Sequence, residues 1–367
     1  MAHDFAVNRF TRRRFLTTAS AAAAGLALAA SPTGRPARTA RAQGATPQPG
    51  GELKIGLYRR LNGLDPAVYE GEPETMVTQM LFDTLVYYDN DGAFSPGLAE
   101  SWQFSEDNLS ATFKLRAGVK FHDGTDFTAQ AVKAHFDRAV DPATQSKLAK
   151  ALLGPYASTD VIDDLTVRIT LTEPYAPLLD SLSQGYLGIP SPAAVEQYGA
   201  DFENYLVGSG PFKFVNWARQ QEIVLEANPS HFEAPKMARW ILRDVPNVSA
   251  ALGALQSGEL NFLSDYTGDP ELLNQAVAST EGLALVSTIP VGFRFYAPNL
   301  RRPPLDDAAR RRAMATASGK QQIVQNIYKT FATVADSHVS KALEFWHADG
   351  LPDYATADIE GAKAILT

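Results

Sequence analysis

The 367-residue chain contains no cysteine. That excludes disulfides, thiolate zinc sites, iron–sulfur clusters, a cysteine nucleophile and a lipidated N-terminal cysteine. Histidine is scarce. Beyond residue 42 there are His122, His135, His231, His338 and His347, none at a metal-binding spacing such as H-x-x-E-H, and each reads as a surface or turn residue. A basic surplus is missing as well. Lys and Arg number 33 against 41 Asp and Glu, a formal net charge of −8. Residues 1–42 hold seven Arg and one Asp, so the remainder carries 33 − 7 = 26 positive against 41 − 1 = 40 negative side chains, a net of −14. Such an acidic body lacks the face that neutralises phosphates, which argues against a nucleic-acid partner. Catalytic signatures are absent in turn. There is no G-x-S-x-G elbow and no G-x-G-x-x-G, Gly208-Ser209-Gly210 is a glycine turn with the wrong spacing, and Ser318-Gly319-Lys320 has Met314 where a phosphate loop needs glycine. No catalytic residue, metal or cofactor is expected. A secreted hydrolase using paired carboxylates remains the alternative of another class, because a linear sequence does not show their separation in space.

What is present begins with an address. Thr11-Arg12-Arg13-Arg14-Phe15-Leu16 precedes a weakly apolar stretch from Ala19 to Ala30, about twelve residues where a bilayer span needs roughly twenty. Ala40-Arg41-Ala42 follows as an A-x-A cleavage pattern, which starts the mature chain at Gln43. The order resembles a twin-arginine (Tat) export signal, read through Arg12, Arg13, Phe15 and Leu16. The mature protein is expected in the periplasm, soluble and free of a lipid anchor.

The mature chain mixes strands and helices without a regular βαβ rhythm or a solenoid repeat. The spacing predicts strands at 52–57, 111–115, 283–289 and 293–297, two strands joined at Asp163-Asp164, and a hairpin from 212–217 and 222–227. It predicts helices over 72–85, from a Thr128 cap to about Val140, after Ser191-Pro192, and over 248–256, 306–318 and 321–328. Asn90-Asp91-Gly92 and His122-Asp123-Gly124 read as turns, and residues 43–51 as a linker. Trp102, Phe113, Leu115 and Phe121 read as apolar anchors of a small sheet. Gly208-Ser209-Gly210-Pro211 reads as a close approach of the chain before a central strand.

One stretch is more specific. Leu98-Ala99-Glu100-Ser101-Trp102 leads across Ser105-Glu106-Asp107 to Phe113-Lys114-Leu115-Arg116, then Gly118-Val119-Lys120-Phe121-His122-Asp123-Gly124-Thr125 and Phe127-Thr128-Ala129. Leu64-Asp65-Pro66, Gly208-Ser209-Gly210-Pro211-Phe212, Ala254-Leu255-Gln256-Ser257-Gly258 and Pro303-Pro304-Leu305-Asp306-Asp307 follow the same order. Together these resemble the solute-binding proteins of peptide-type ABC transporters, over about residues 50–367.

The resemblance implies an α/β fold of the periplasmic binding protein-like class II type, two lobes with an extra inserted domain. It would place domain I at 43–72 and 180–288, the inserted domain II at 73–179, and the incomplete start of domain III at 289–367. In relatives domain III continues further and carries an acidic segment that meets the ligand ammonium. A truncated or frameshifted gene, or a fragment sequence, would account for this chain, and a non-functional relative is one alternative. The implied function is capture of a small solute, a di- or oligopeptide by default, by a monomer that delivers it to an inner-membrane ABC permease after passage through the Tat translocase. Nickel, heme, opines and oligosaccharides are the other family solutes. Segments near lobe boundaries offer Tyr69, Glu70, Tyr186, Leu187, Phe293, Phe295 and Asn299 as ligand contacts.

Overall fold

The computed structural model describes residues 50–57, 60–89, 92–264, 266, 268–286, 294–337 and 354–367. The export signal and its cleavage site, Arg12, Arg13, Phe15, Leu16, Ala42 and Gln43, lie outside them, as do Phe293, His338 and His347. The described residues form two compact units. One holds the chain up to Ala251 and residues 257–264; the other holds Leu252–Gln256 and the described residues from Tyr266 to Thr367. Among the described residues no helix is long and apolar enough to cross a membrane.

In the first unit, strands run in chain order as β1 (Glu52–Leu57), β2 (Val86–Tyr88), β3 (Phe94–Pro96), β4 (Ala99–Phe104), β5 (Ser110–Leu115), β6 (Tyr156–Asp163), β7 (Thr166–Leu171), β8 (Phe212–Ala218), β9 (Glu222–Ala227), β10 (Arg239–Asp244) and β11 (Phe262–Leu263). They make a mixed five-stranded sheet, β11-β1-β10-β9-β8, an antiparallel four-stranded sheet, β4-β5-β7-β6, and the pair β2-β3. β1 is parallel to both β10 and β11. The expected hairpin of β8 and β9 is present, but β8 is the edge strand and not a central one. The interior place beside β1 belongs to β10. Its Trp240-Ile241-Leu242 core is an apolar run too short for periodicity to tell strand from buried helix.

The four-stranded sheet turns Ala111, Phe113, Leu115, Val167, Ile169 and Leu171 to one buried face. Period-two alternation along β5 and β7 produces this, because successive side chains point to opposite faces. Trp102 pairs with Phe113 across the ladder, but it stands on the edge strand β4 and is only partly buried. Phe113, fully enclosed, is the true anchor; burying such a side chain contributes about 1.5–3 kcal/mol.

Helix α1 (Glu72–Leu81) has Pro73 in its first turn, where a missing N–H costs nothing. It stops four residues short of the Leu85 that periodicity predicts. The carbonyls of Asp83, Thr84 and Leu85 each accept a backbone bond of 2.9 Å, from Ile189, Leu98 and Ala99 respectively, so tertiary pairing wins over another helical turn. Helix α2 (Ala129–Val140) lays Val132, Phe136 and Ala139 on the four-stranded sheet. Thr128 holds its N-cap position without a side-chain cap bond. Helix α3 (Pro192–Tyr198) is capped as expected: Ser191 Oγ accepts from Ala194 N at 3.3 Å, and Gly199 follows with a φ of +50°.

Helix α4 (Val248–Ser257) contributes Leu252–Gln256 to the second unit and its remaining residues to the first. Helix α5 (Pro270–Ser279) follows an Asp269 cap whose Oδ1 accepts from Glu271 N at 2.8 Å; this Asp-Pro start signal went unread in the sequence. Leu252, Leu273 and Ala276 form a small core there. Helix α6 (Ala308–Ala317) is capped by Asp307, whose Oδ1 accepts from Ala309 N at 2.6 Å. Lys320–Ile323 is helical and runs into a π turn over Val324–Tyr328. Helix α7 (Ile359–Leu366) packs along α6. Residues 283–286 and 294–297, expected in strands, are not. A strand needs a bonded neighbour, and among the described residues no strand pairs with them.

Candidate ligand-binding site

Leu64-Asp65-Pro66 folds into a turn in which Val68 N and Tyr69 N both donate to the Asp65 carbonyl, at 2.9 and 3.0 Å. The Asp65 carboxylate, 4% exposed as a residue, is clamped by Arg138 of α2. One guanidinium nitrogen donates to Oδ1 at 2.8 Å and the other to Oδ2. This fork-on-carboxylate geometry fixes the turn that presents Tyr69. The Tyr69 ring stacks on Tyr186, with centroids 4.4 Å apart and planes 23° from parallel. Thr78 Oγ1 on α1 donates to Tyr69 Oη at 2.9 Å, and Tyr186 Oη donates to the Gly71 carbonyl at 3.3 Å. Burial raises the Tyr69 phenol well above its ordinary value, so it stays neutral.

Gly71 is the N-cap of α1, without a side-chain cap bond, and the Glu74 carboxylate occupies the space a Cβ there would take. Glu74 Oε1 accepts from Asn62 N at 2.7 Å, while buried Oε2 has no partner. Glu70 is exposed and pairs with Lys147 at 2.8 Å, a contact worth little in water. Leu187 is 1% exposed and belongs to the apolar core. Phe295, 70% exposed, and Asn299, whose Oδ1 accepts from Arg301 N at 3.0 Å, lie in the second unit. The structure thus brings Tyr69 and Tyr186 together, leaves Glu70 exposed on Lys147, and gives Leu187 to packing.

A second polar cluster gathers His122 and His231, which lie in turns as expected, while His135 is neither at the surface nor in a turn. His135 is a buried residue of α2; burial and then Arg138 lower it to about 4, against the opposing pull of Asp65 and the Tyr186 backbone. His231 Nε2 lies 3.1 Å from Asp83 Oδ1. The fully buried Asp83 carboxylate also accepts from Tyr87 Oη at 2.6 Å and Ser209 Oγ at 2.8 Å. His122 sits against Gly208 and Gly210. Ser, His and Asp are therefore all present, but the serine donates to the carboxylate and not to the imidazole. That is the wrong order for a nucleophile and its base. Among the described residues no group of three His, Asp or Glu side chains could hold a metal ion. The sequence hints at this cluster only through His122 and Ser209, which fall in the segments that carry the resemblance, because the other partners are distant in the chain.

Comparison with known proteins agrees with the architecture. Residues 93–367 match the family model described as bacterial extracellular solute-binding proteins, family 5 Middle. The glutathione-binding protein GsiB of Pectobacterium atrosepticum is 30% identical over 293 residues, which cover 79% of this chain and 56% of that protein. The chain thus spans about half the length of the curated relatives it matches. Among solved structures, NikZ from Campylobacter jejuni in complex with Ni(L-His) is similar at a TM-score of 0.74 and 26% identity, over 86% of this chain and 62% of its own. AgaA of A. tumefaciens R10 in complex with agropinic acid is similar at a TM-score of 0.73 and 27% identity, over 86% and 64%. The fold is that of class II periplasmic binding proteins, and the family's role is transport and not catalysis. An extracellular family also agrees with the exported location expected from residues 11–42. The chain belongs to family 5 of the bacterial extracellular solute-binding proteins.

Proposed function

We propose that this protein captures a small solute outside the cytoplasm, a di- or oligopeptide by default, and delivers it to an ABC permease. The observation that carries the reading is the Tyr69–Tyr186 stack, in which Tyr69 is buried and Tyr186 half-buried, set by the Asp65 turn that Arg138 clamps and with Glu70 next to Tyr69 in sequence. Aromatic faces beside a few placed polar groups are what a peptide-sized ligand site uses. Two of the ligands named for relatives, glutathione and histidine, are built on α-amino acids, which supports an amino-acid-derived solute. In this reading 43–72 with 180–288 form one domain, 73–179 an inserted one, and 289–367 begin the second lobe. The protein acts as a monomer.

Calorimetric titration with di- to pentapeptides, glutathione and nickel–histidine tests the proposal. A saturable heat with one peptide class and no product is the expected result; saturation by nickel–histidine alone would move the reading to that solute. Tyr186→Ala is expected to weaken binding by about two- to tenfold, since an aromatic contact is worth roughly 0.5–1.5 kcal/mol, with unchanged circular dichroism. Full affinity in that variant would remove Tyr186 from the site.

Export is proposed to run through the Tat translocase. Replacing Arg12 and Arg13 with Lys keeps the charge but loses the guanidinium fork. The mature form should then disappear from the periplasmic fraction, and its normal accumulation there would refute the route.

A further inference from the structure

His122 makes three bonds with one strap of chain. Its backbone N donates to Gly208 O at 2.8 Å, Gly208 N donates to its Nδ1 at 3.3 Å, and its Nε2 lies 2.9 Å from Gly210 O. A carbonyl only accepts, so Nε2 carries the hydrogen. A backbone amide only donates, so Nδ1 is bare. The surroundings therefore specify one neutral tautomer. An imidazolium would point an N–H at the Gly208 N–H and lose that bond.

The strap leads from Gly208 to β8 of the five-stranded sheet, and His122 sits on the turn that follows the four-stranded sheet strand β5. We propose that His122 is an acid-operated clasp, which on protonation must release the Gly208 amide and so loosen the strap at that one point, while its bonds to the Gly208 and Gly210 carbonyls remain. This goes beyond ligand capture and does not depend on the identity of the solute.

The groups facing His122 are Lys213 on β8, Asp83 after α1 and His231 from the turn after β9, with Asp123 next along its own segment. Burial is the largest influence on the ring, and with Lys213 and His231 it outweighs the Gly210 carbonyl and Asp83, lowering His122 to about 4. A histidine whose folded value lies below its unfolded one loses stability as pH falls. The clasp is at full strength above about 6.5, the ordinary value, and weakens down to about 4, the opening equilibrium rising about tenfold per pH unit in that window.

The test follows the His122 ring proton and Gly208 amide exchange by NMR on the full chain between pH 7.5 and 4. Gly208 opening should grow about tenfold per unit as predicted, above the intrinsic pH effect on exchange. In His122→Asn, whose Oδ1 accepts from Gly208 N without titrating, the growth should flatten. Equal Gly208 protection at pH 7 and 4.5, or an unchanged acid response in the Asn variant, would overturn the proposal. Should that variant fail to fold, the wild-type curves decide: Gly208 opening that departs from the predicted slope across the ring's window overturns it.

Discussion

Gly208→Ala is expected to destabilise the first unit by more than about 3 kcal/mol, at the upper end of what overpacking costs. A Cβ at this position would fall inside the contact radius of the Leu81 carbonyl oxygen and 2.6 Å from the Phe82 ring. Leu81 and Phe82 are fully buried, and the obstacle is backbone, which no rotamer change can clear. Gly210 repeats the constraint, with its Cβ 2.5 Å from the Met80 carbonyl. Gly253 offers the contrast. It lies inside α4 with nothing within 4 Å of a Cβ, so Gly253→Ala should stabilise by about 0.5–1 kcal/mol. Urea melts of both variants check the pair, and a loss below about 1 kcal/mol in Gly208→Ala would show that the strap has slack.

Asp65→Asn should cost about 3–5 kcal/mol, the usual result of removing one partner from a buried ion pair. The carboxylate is almost wholly enclosed and receives both arms of the Arg138 fork. An amide can satisfy only part of that fork and leaves the guanidinium without its counter-charge. Because Asp65 also organises the Tyr69 turn, ligand affinity should fall along with stability. Asp65→Asn with Arg138→Met, which removes the stranded charge, should recover part of the loss. A single variant that melts like the wild type would mean that water already screens the pair.

How far this was legible depends on the range of the interactions. The buried face of the four-stranded sheet follows from local alternation at Ala111, Phe113 and Leu115, and the α3 cap follows from the adjacent Ser191-Pro192. The specific stretch around Phe121 and Gly124 carried the family. Tyr69 and Tyr186 could be named from separate segments, but their stacking joins residues far apart in sequence. The Asp83 cluster was illegible for the same reason: His231 is 148 residues from its carboxylate, and no local pattern says that a histidine will be enclosed. The end of α1 was missed because the backbone groups that compete for Asp83, Thr84 and Leu85 come from residues 98, 99 and 189. Tertiary bonds there override a local helical period.

Strand β1 sets an order on biosynthesis. It opens the described chain, yet both strands that bond to it, β10 and β11, begin at Arg239 and Phe262. While the chain emerges from the ribosome, β1 must wait unpaired until nearly two hundred further residues have followed it. The four-stranded sheet, built wholly from Ala99–Leu171, has its partners at hand much sooner, and local contacts close fastest. The early product is therefore a folded inserted piece trailing an open strand with bare amides and carbonyls, the edge that invites pairing with another chain. An export route that accepts only finished proteins would have to hold this one back until β10 arrives.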